Sequence, residues 1–247
     1  MSKNRKIRID KLIFEKEMVP SRSRARALIM AGKVLVDEVP VTKAGTKVDS
    51  QASIRLKTPD HPWVSRGGLK IEKGIEAFKT RIKDMVVLDV GASTGGFTDY
   101  LLQHGAAYVH ALDVGYGQLH WKLRQDKRVK VWERTNIRYC KKEEFSPQPH
   151  LATVDVSFIS LRLVIPVLLK ILDSGDQIVA LVKPQFEVGK GQVGKGGIVR
   201  DKKLRQKTVR DVIDFFEEKG ALVSGPVESP IQGPGGNVEF LIEITVP

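Results

Sequence analysis

The stretch Val86–Asp99, VVLDVGASTGGFTD, constrains the fold of this chain more than any other. Val86, Val87, Leu88 and Val90 form a short apolar run of the kind that a buried strand requires. A run of small residues follows, Gly91-Ala92-Ser93-Thr94-Gly95-Gly96, and reads as a tight turn. From Phe97 to His104 the pattern becomes helical, with Phe97, Leu101 and Leu102 on one face. Strand, glycine turn and helix in this order open a doubly wound α/β domain, where ligands settle beyond the carboxyl ends of the strands. Ser93 stands where G-x-G-x-x-G has its middle glycine, which argues against a dinucleotide pyrophosphate. A ligand that approaches a glycine backbone beside a carboxylate, here Asp89, fits S-adenosylmethionine better.

What surrounds this stretch is basic. The 247 residues include 41 Lys and Arg against 29 Asp and Glu, a net charge of +12. That balance points to a polyanionic partner, nucleic acid before an anionic membrane. Hydrophobic residues make up 41% of the chain, enough for one sizeable core and a small extra domain. The single cysteine, Cys140, excludes an intramolecular disulfide and a CxxC metal site and fits a reducing cytoplasm. The basic N-terminus has no apolar run behind it, so no signal peptide is expected. The longest apolar stretch, Leu161–Leu172, is interrupted by Arg162, Pro166 and Lys170 and falls short of the ~20 residues of a membrane span.

Residues 1–60 read as a unit of their own, a small α+β domain. They hold 14 Lys and Arg against 7 Asp and Glu. Ile9, Leu12 and Ile13 fall at helical spacing. Ser21 is placed to cap a second helix with the stripe Ala25, Leu28 and Ile29, and Gly32 to close it. Val34–Val36, the turn Asp37-Glu38 and Val39–Val41 read as a hairpin, and Ser53–Leu56 as a further strand. Arg22, Arg24 and Arg26, followed by Lys33, have no acidic residue after them until Asp37. A face of this kind lets guanidinium groups meet successive phosphates.

Residues 61–65 read as a linker and 66–247 as the α/β domain. Ser65-Arg66-Gly67-Gly68 opens a helix whose buried stripe is Ile71, Ile75 and Phe78, and Trp63-Val64 is placed to dock onto the domain. A strand ending at Leu112 delivers Asp113, 24 residues after Asp89, where a ribose is held by its hydroxyls. Asn136 follows the third strand at the distance of an adenine pocket. Asp155 ends the fourth strand and Lys183 the fifth, and the last strand, Val238–Val246, carries Glu239. The helix from Ser160 contains Pro166, so a kink or a late start is expected. Asp155, Lys183 and Glu239 thus share one sheet edge, and Lys70, ahead of the first strand, reaches the same place. Singly such residues are more often structural; as a set they point to catalysis.

The segment Gly189–Gly196 matches G-x-x-x-x-G-K but has Gly196 where Ser or Thr would bind Mg²⁺. A mobile basic lid fits better, with Lys190, Lys195 and Arg200 giving phosphate affinity. Cationic neighbours are expected to lower the pKa of Cys140. His104, His110, His120 and His150 show no metal spacing, and no metal is assigned.

RIDKLI…VPSRSRARALIMAGKVLVDEVPVTKAGTKV resembles the S4 RNA-binding domain. SRGGLK, DVGASTGGFTD, ALDVGYGQLHWKLRQDKRV, ERTNIR, DVSFISL, VKPQFEVGKGQVGKGGIVRD and GGNVEFLIEI resemble the TlyA (haemolysin A) family, which joins an S4 domain to an FtsJ-like methyltransferase domain. The resemblance implies a Rossmann-like methyltransferase sheet that uses S-adenosylmethionine to methylate a ribose 2′-hydroxyl of ribosomal RNA. It places the family's Lys-Asp-Lys-Glu tetrad on Lys70, Asp155, Lys183 and Glu239. It also implies cofactor contacts from Asp89, Gly91, Ser93, Thr94, Gly95, Gly96, Phe97, Asp113 and Asn136. Binding of ribosomal RNA or ribosomal subunits is implied for Arg22, Arg24, Arg26, Lys33, Arg66, Lys190, Lys195 and Arg200. The haemolysin label raises a membrane-active alternative, which lacks a spanning segment here, and an RNA-binding assembly factor without turnover is a second.

Overall fold

The computed structural model describes residues 6–16, 18–19, 21–57, 61–189, 191–194 and 196–247. It divides into two compact units, Met1–Pro62 and Trp63–Pro247.

The first unit runs β1 (Lys6–Arg8), α1 (Ile9–Glu15), α2 (Arg22–Met30), β2 (Val34–Val36), β3 (Val39–Val41), β4 (Lys47–Asp49) and β5 (Ile54–Leu56). Ser21 Oγ accepts the Arg24 N–H at 3.1 Å, capping α2, and Gly32 takes φ +64° beyond its end. Asp37 and Glu38 both have positive φ, as a two-residue hairpin between β2 and β3 demands. β2 is the centre of an antiparallel sheet ordered β3-β2-β5. A separate antiparallel pair, β1 with β4, has no counterpart in the sequence reading, because three residues are too few to show alternation. Ile9, Leu12, Ile13, Ala25, Ile29 and Val34 bury between the helices and strands.

The second unit runs α3 (Gly67–Phe78), β6 (Val86–Val90), α4 (Gly96–Gln103), β7 (Tyr108–Leu112), α5 (Trp121–Arg124), β8 (Val129–Trp132), β9 (Leu151–Val154), α6 (Leu161–Ile171), β10 (Gln177–Val182), α7 (Pro184–Glu187), α8 (Lys202–Glu217), β11 (Leu222–Glu228) and β12 (Phe240–Thr245). Seven strands form one sheet in the order β11-β12-β10-β9-β6-β7-β8. The strands from β10 to β8 are parallel, and β12 runs antiparallel to both β10 and β11. Alternate residues serve opposite layers. Leu88, Ile178, Ala180 and Val182 join the α6 and α8 side with Val164, Ile165, Val212 and Phe216. Val87, Val179 and Leu181 join the α3 and α4 side with Ile71, Ile75, Phe97 and Leu101. A sheet covered on both faces explains why its central strands are mostly apolar along their length, without the strict in-and-out alternation of a half-exposed strand.

Trp63 and Val64 pack onto α4: the Val64 N–H donates to Asp99 Oδ2 at 2.8 Å, and the Trp63 ring lies 5.4 Å from that of Tyr100. α6 neither starts late nor breaks at Pro166. It begins at Leu161 under a Ser160 cap, and the proline sits inside it. α8 starts at Lys202, where Asp201 Oδ1 accepts the N–H groups of Lys203 and Leu204. Among the described residues no helix is long and apolar enough to cross a membrane.

Candidate active site

The turn after β6 is held by its glycines. Gly91 has φ +86°, and a Cβ there would fall 2.5 Å from the carbonyl oxygen of Asp155. The backbone of β9's end is thereby brought against the turn. A Cβ on Gly96 would fall 2.3 Å from Ser65 Oγ and 3.0 Å from the Gly68 nitrogen. The start of α4 therefore touches the start of α3, the helix that carries Lys70. Gly95, at φ +98°, packs against Leu119 and Leu123 and lines neither of the two cavities at this sheet edge.

Asp89 lines neither of them. It is fully buried beneath the turn, where the Thr98 hydroxyl donates to Oδ2 at 2.6 Å and the Thr153 hydroxyl to Oδ1 at 3.0 Å. Its position within β6, rather than at the strand's end, points it into the helix layer. Burial pushes its carboxyl up to about 6, against the pull of the two hydroxyls. Asp113, at the end of β7, is at the surface of the cleft. It accepts the N–H of Ser93 at 2.8 Å and that of Gly115 at 2.7 Å, tying the loop after β7 to the glycine turn.

The antiparallel direction of β12 decides where Glu239 falls. Val182 pairs with Phe240, so the residue after β10, Lys183, and the residue before β12, Glu239, come to the same edge. Asp155 arrives there at the end of neighbouring β9. Lys70 projects from the first turns of α3. The four form an alternating chain of charge: Lys183 Nζ lies 2.6 Å from Asp155 Oδ1, Lys70 Nζ 3.9 Å from Asp155 Oδ2, and Lys70 Nζ 2.6 Å from Glu239 Oε2. Glu239 is fully buried and the Lys70 and Lys183 side chains are 10% and 8% exposed. Two cations and two anions so placed neutralise one another, which is what allows them to leave water. Sequence reasoning missed Ser157, whose Oγ accepts from Lys183 Nζ at 2.9 Å. Its place two residues past Asp155, in the loop leaving the sheet edge, is the signal that could have found it.

Two cavities adjoin here. A smaller one of about 290 Å³ is lined by Arg66, Lys70, Thr94, Phe97 and Lys183 among others. A larger one of about 500 Å³ is lined by Leu112, Asp113, Asn136, Ile137, Val156 and Phe158 among others. Gly91, Ser93, Asp155 and Ser157 line both. The larger offers apolar walls with a few polar groups at fixed places, a set that suits a nucleoside. Asn136 Oδ1 accepts the Arg138 N–H at 3.1 Å, which fixes its side chain at the rim.

The remaining sequence candidates lie elsewhere. Lys190 and Lys195 are outside the described residues. The segment after them is anchored rather than loose: buried Asn237, also missed by sequence reasoning, accepts the Val199 N–H at 3.1 Å and donates to the Gly197 carbonyl at 2.9 Å. Arg200 is exposed next to this anchor. Cys140 departs from expectation, since burial and Glu144 push its thiol up rather than down. Lys33 and the arginines of α2 belong to the first unit, where Arg22 and Arg26 both reach Asp10.

A mostly parallel sheet with a glycine turn after β6, an acid ending β7 and an antiparallel last strand delivering a charged residue to the cleft define a Rossmann-like methyltransferase. The chain belongs to the FtsJ-like methyltransferase family, whose pattern matches residues 63–245, and an S4 domain matches residues 7–54. YqxC of Bacillus subtilis is 47% identical over 245 residues, covering 99% of this chain and 87% of that protein. The 16S/23S rRNA (cytidine-2′-O)-methyltransferase TlyA of Mycobacterium tuberculosis is 46% identical, covering 96% of this chain and 89% of its own length. A solved structure from Streptococcus thermophilus that carries the hemolysin name superposes with a TM-score of 0.77 at 45% identity, covering 98% of this chain and 89% of that one.

Proposed function

We propose that this chain methylates a ribose 2′-hydroxyl of ribosomal RNA with S-adenosylmethionine, its S4 unit docking on structured rRNA in the cytoplasm. The observation that carries this reading is the alternating Lys183–Asp155–Lys70–Glu239 chain beside the glycine turn. The 2′-O-methyltransferase name of the Mycobacterium tuberculosis relative supports the reaction, and the S4 match supports the RNA partner.

The cavities fit the cofactor: Asp113 would hold the ribose hydroxyls, Asn136 and Ile137 the adenine, and Gly91, Ser93, Thr94, Gly96 and Phe97 the methionine end. When bound, S-adenosylmethionine supplies a methyl group on a sulfonium, already a good leaving group. The weak partner is the ribose hydroxyl, so holding it in line supplies much of the rate. Lys183 meets the 2′-oxygen: as the ammonium paired with Asp155 it steadies the alkoxide as it forms, and only as the neutral amine would it take the hydroxyl proton. Asp155 and Ser157 fix Lys183 from two sides. Lys70 is held to fully buried Glu239 and anchors Asp155 from behind.

Lys183→Ala is expected to lower methyl transfer to ribosomal subunits on the order of 10²–10⁴-fold while leaving S-adenosylmethionine affinity nearly unchanged. Wild-type turnover in this variant would refute the role. The hemolysin name of the Streptococcus thermophilus structure favours a second reading, membrane lysis. Purified protein is expected to leave liposomes intact, and dye release at activity-relevant concentrations would favour that reading instead.

A further inference from the structure

The basic face of the first unit has an acid at its centre. Asp10, in the first turn of α1, is fully buried. It accepts Arg8 Nε on Oδ1 at 3.0 Å and Arg8 Nη2 on Oδ2 at 3.2 Å. It also accepts Arg22 Nη2 at 3.0 Å and Arg26 Nε at 3.1 Å, both on Oδ2. Three of these bonds fall on Oδ2 and one on Oδ1, so a single carboxylate gathers three guanidinium groups. The arginines come from the end of β1 and from the first two turns of α2, and their side chains stay 48%, 44% and 53% exposed. Each spends one or two of its five N–H donors on Asp10 and keeps the rest for another partner. An acid that only needed neutralising would be served by one arginine; three leave a fixed surplus of positive charge over a single buried point.

We propose that Asp10 is a positioning residue that pre-arranges Arg8, Arg22 and Arg26 into a rigid array for RNA phosphates. The inference rests on the S4 unit docking on rRNA. A free surface arginine gives up rotamer freedom when it binds a phosphate, and one already pinned to Asp10 has given it up in the fold. Asp10 thus acts against simple electrostatics: it is a negative charge on a nucleic-acid-binding face whose removal weakens binding.

The test uses the full chain with purified ribosomal subunits over a range of salt. Asp10→Asn is expected to weaken RNA binding about tenfold although the net charge becomes more positive, with KM for RNA rising and kcat and S-adenosylmethionine affinity unchanged. Arg22→Ala with Arg26→Ala is expected to cost less in the Asp10→Asn background than in wild type, a coupling that general loosening of the fold would not produce. Equal or tighter binding by Asp10→Asn, or additive losses, overturns the proposal. Should Asp10→Asn unfold the unit, Arg22→Lys with Arg26→Lys keeps the charge and removes the planar fork. The array then predicts weaker binding, and unchanged binding overturns it. Arg22, Arg24 and Arg26 replaced together by Ala separate the two levels. If that triple leaves affinity and salt slope untouched, the docking reading itself falls; if it weakens binding while Asp10→Asn does not, only the array falls.

Discussion

Asp89 shows how a residue type can be legible while its duty is not. An acid inside VVLDV stands out in the sequence, and its neighbourhood suggests a ligand. The alternation of the strand instead turns it under the turn, onto Thr98 and Thr153. Its folded carboxyl titrates near about 6, above the ordinary aspartate value of ~3.9. Between those two values the folded state binds the extra proton, so stability from this group is full below about pH 4 and is lost as pH rises through about 6. Asp89→Asn is expected to remove that loss and to gain on the order of 1–3 kcal/mol over wild type at pH 7.5, with the gain fading towards pH 4. Urea unfolding at several pH values checks it. A variant that is less stable than wild type at pH 7.5 would show that the hydroxyls need the carboxylate itself.

The best-read element is the strand, turn and helix from β6 to α4, because three local signals agree there: an apolar run, small residues and helical spacing. The β1–β4 pair escaped for the opposite reason, being short and distant in sequence. The course of α6 through Pro166 escaped because a tertiary seat, with Leu161, Ile165 and Leu168 buried, outweighs one lost backbone hydrogen bond. At the turn, Gly91→Ala forces a Cβ onto the Asp155 carbonyl at a positive φ. It is expected to destabilise the second unit on the order of 1–3 kcal/mol and to weaken S-adenosylmethionine binding sharply. Calorimetric titration with the cofactor, after a thermal melt, measures both, and wild-type affinity would remove the turn from the binding site.

At the scale of the molecule, what the chain order hides is distance. Lys70 and Glu239 are 169 residues apart and meet at 2.6 Å. Asp155, Lys183 and Glu239 are legible as sharing one sheet edge, but the means by which Glu239 gets there, the reversal of β12 against β10, is announced by no local pattern. The basic surplus of residues 1–60 is likewise plain in composition, while its organiser, Asp10, looks like one more helix-start acid. If the four charged residues at one sheet edge serve methyl transfer to a ribose oxygen, the product itself must show it. The most direct measurement incubates the protein with radiolabelled S-adenosylmethionine and ribosomal subunits lacking the modification, then digests the RNA with alkali. A 2′-O-methyl group blocks cleavage of the adjacent phosphodiester, so label is expected in alkali-resistant dinucleotides, and none with Lys183→Ala. Label in mononucleotides or in ribosomal protein would contradict ribose methylation.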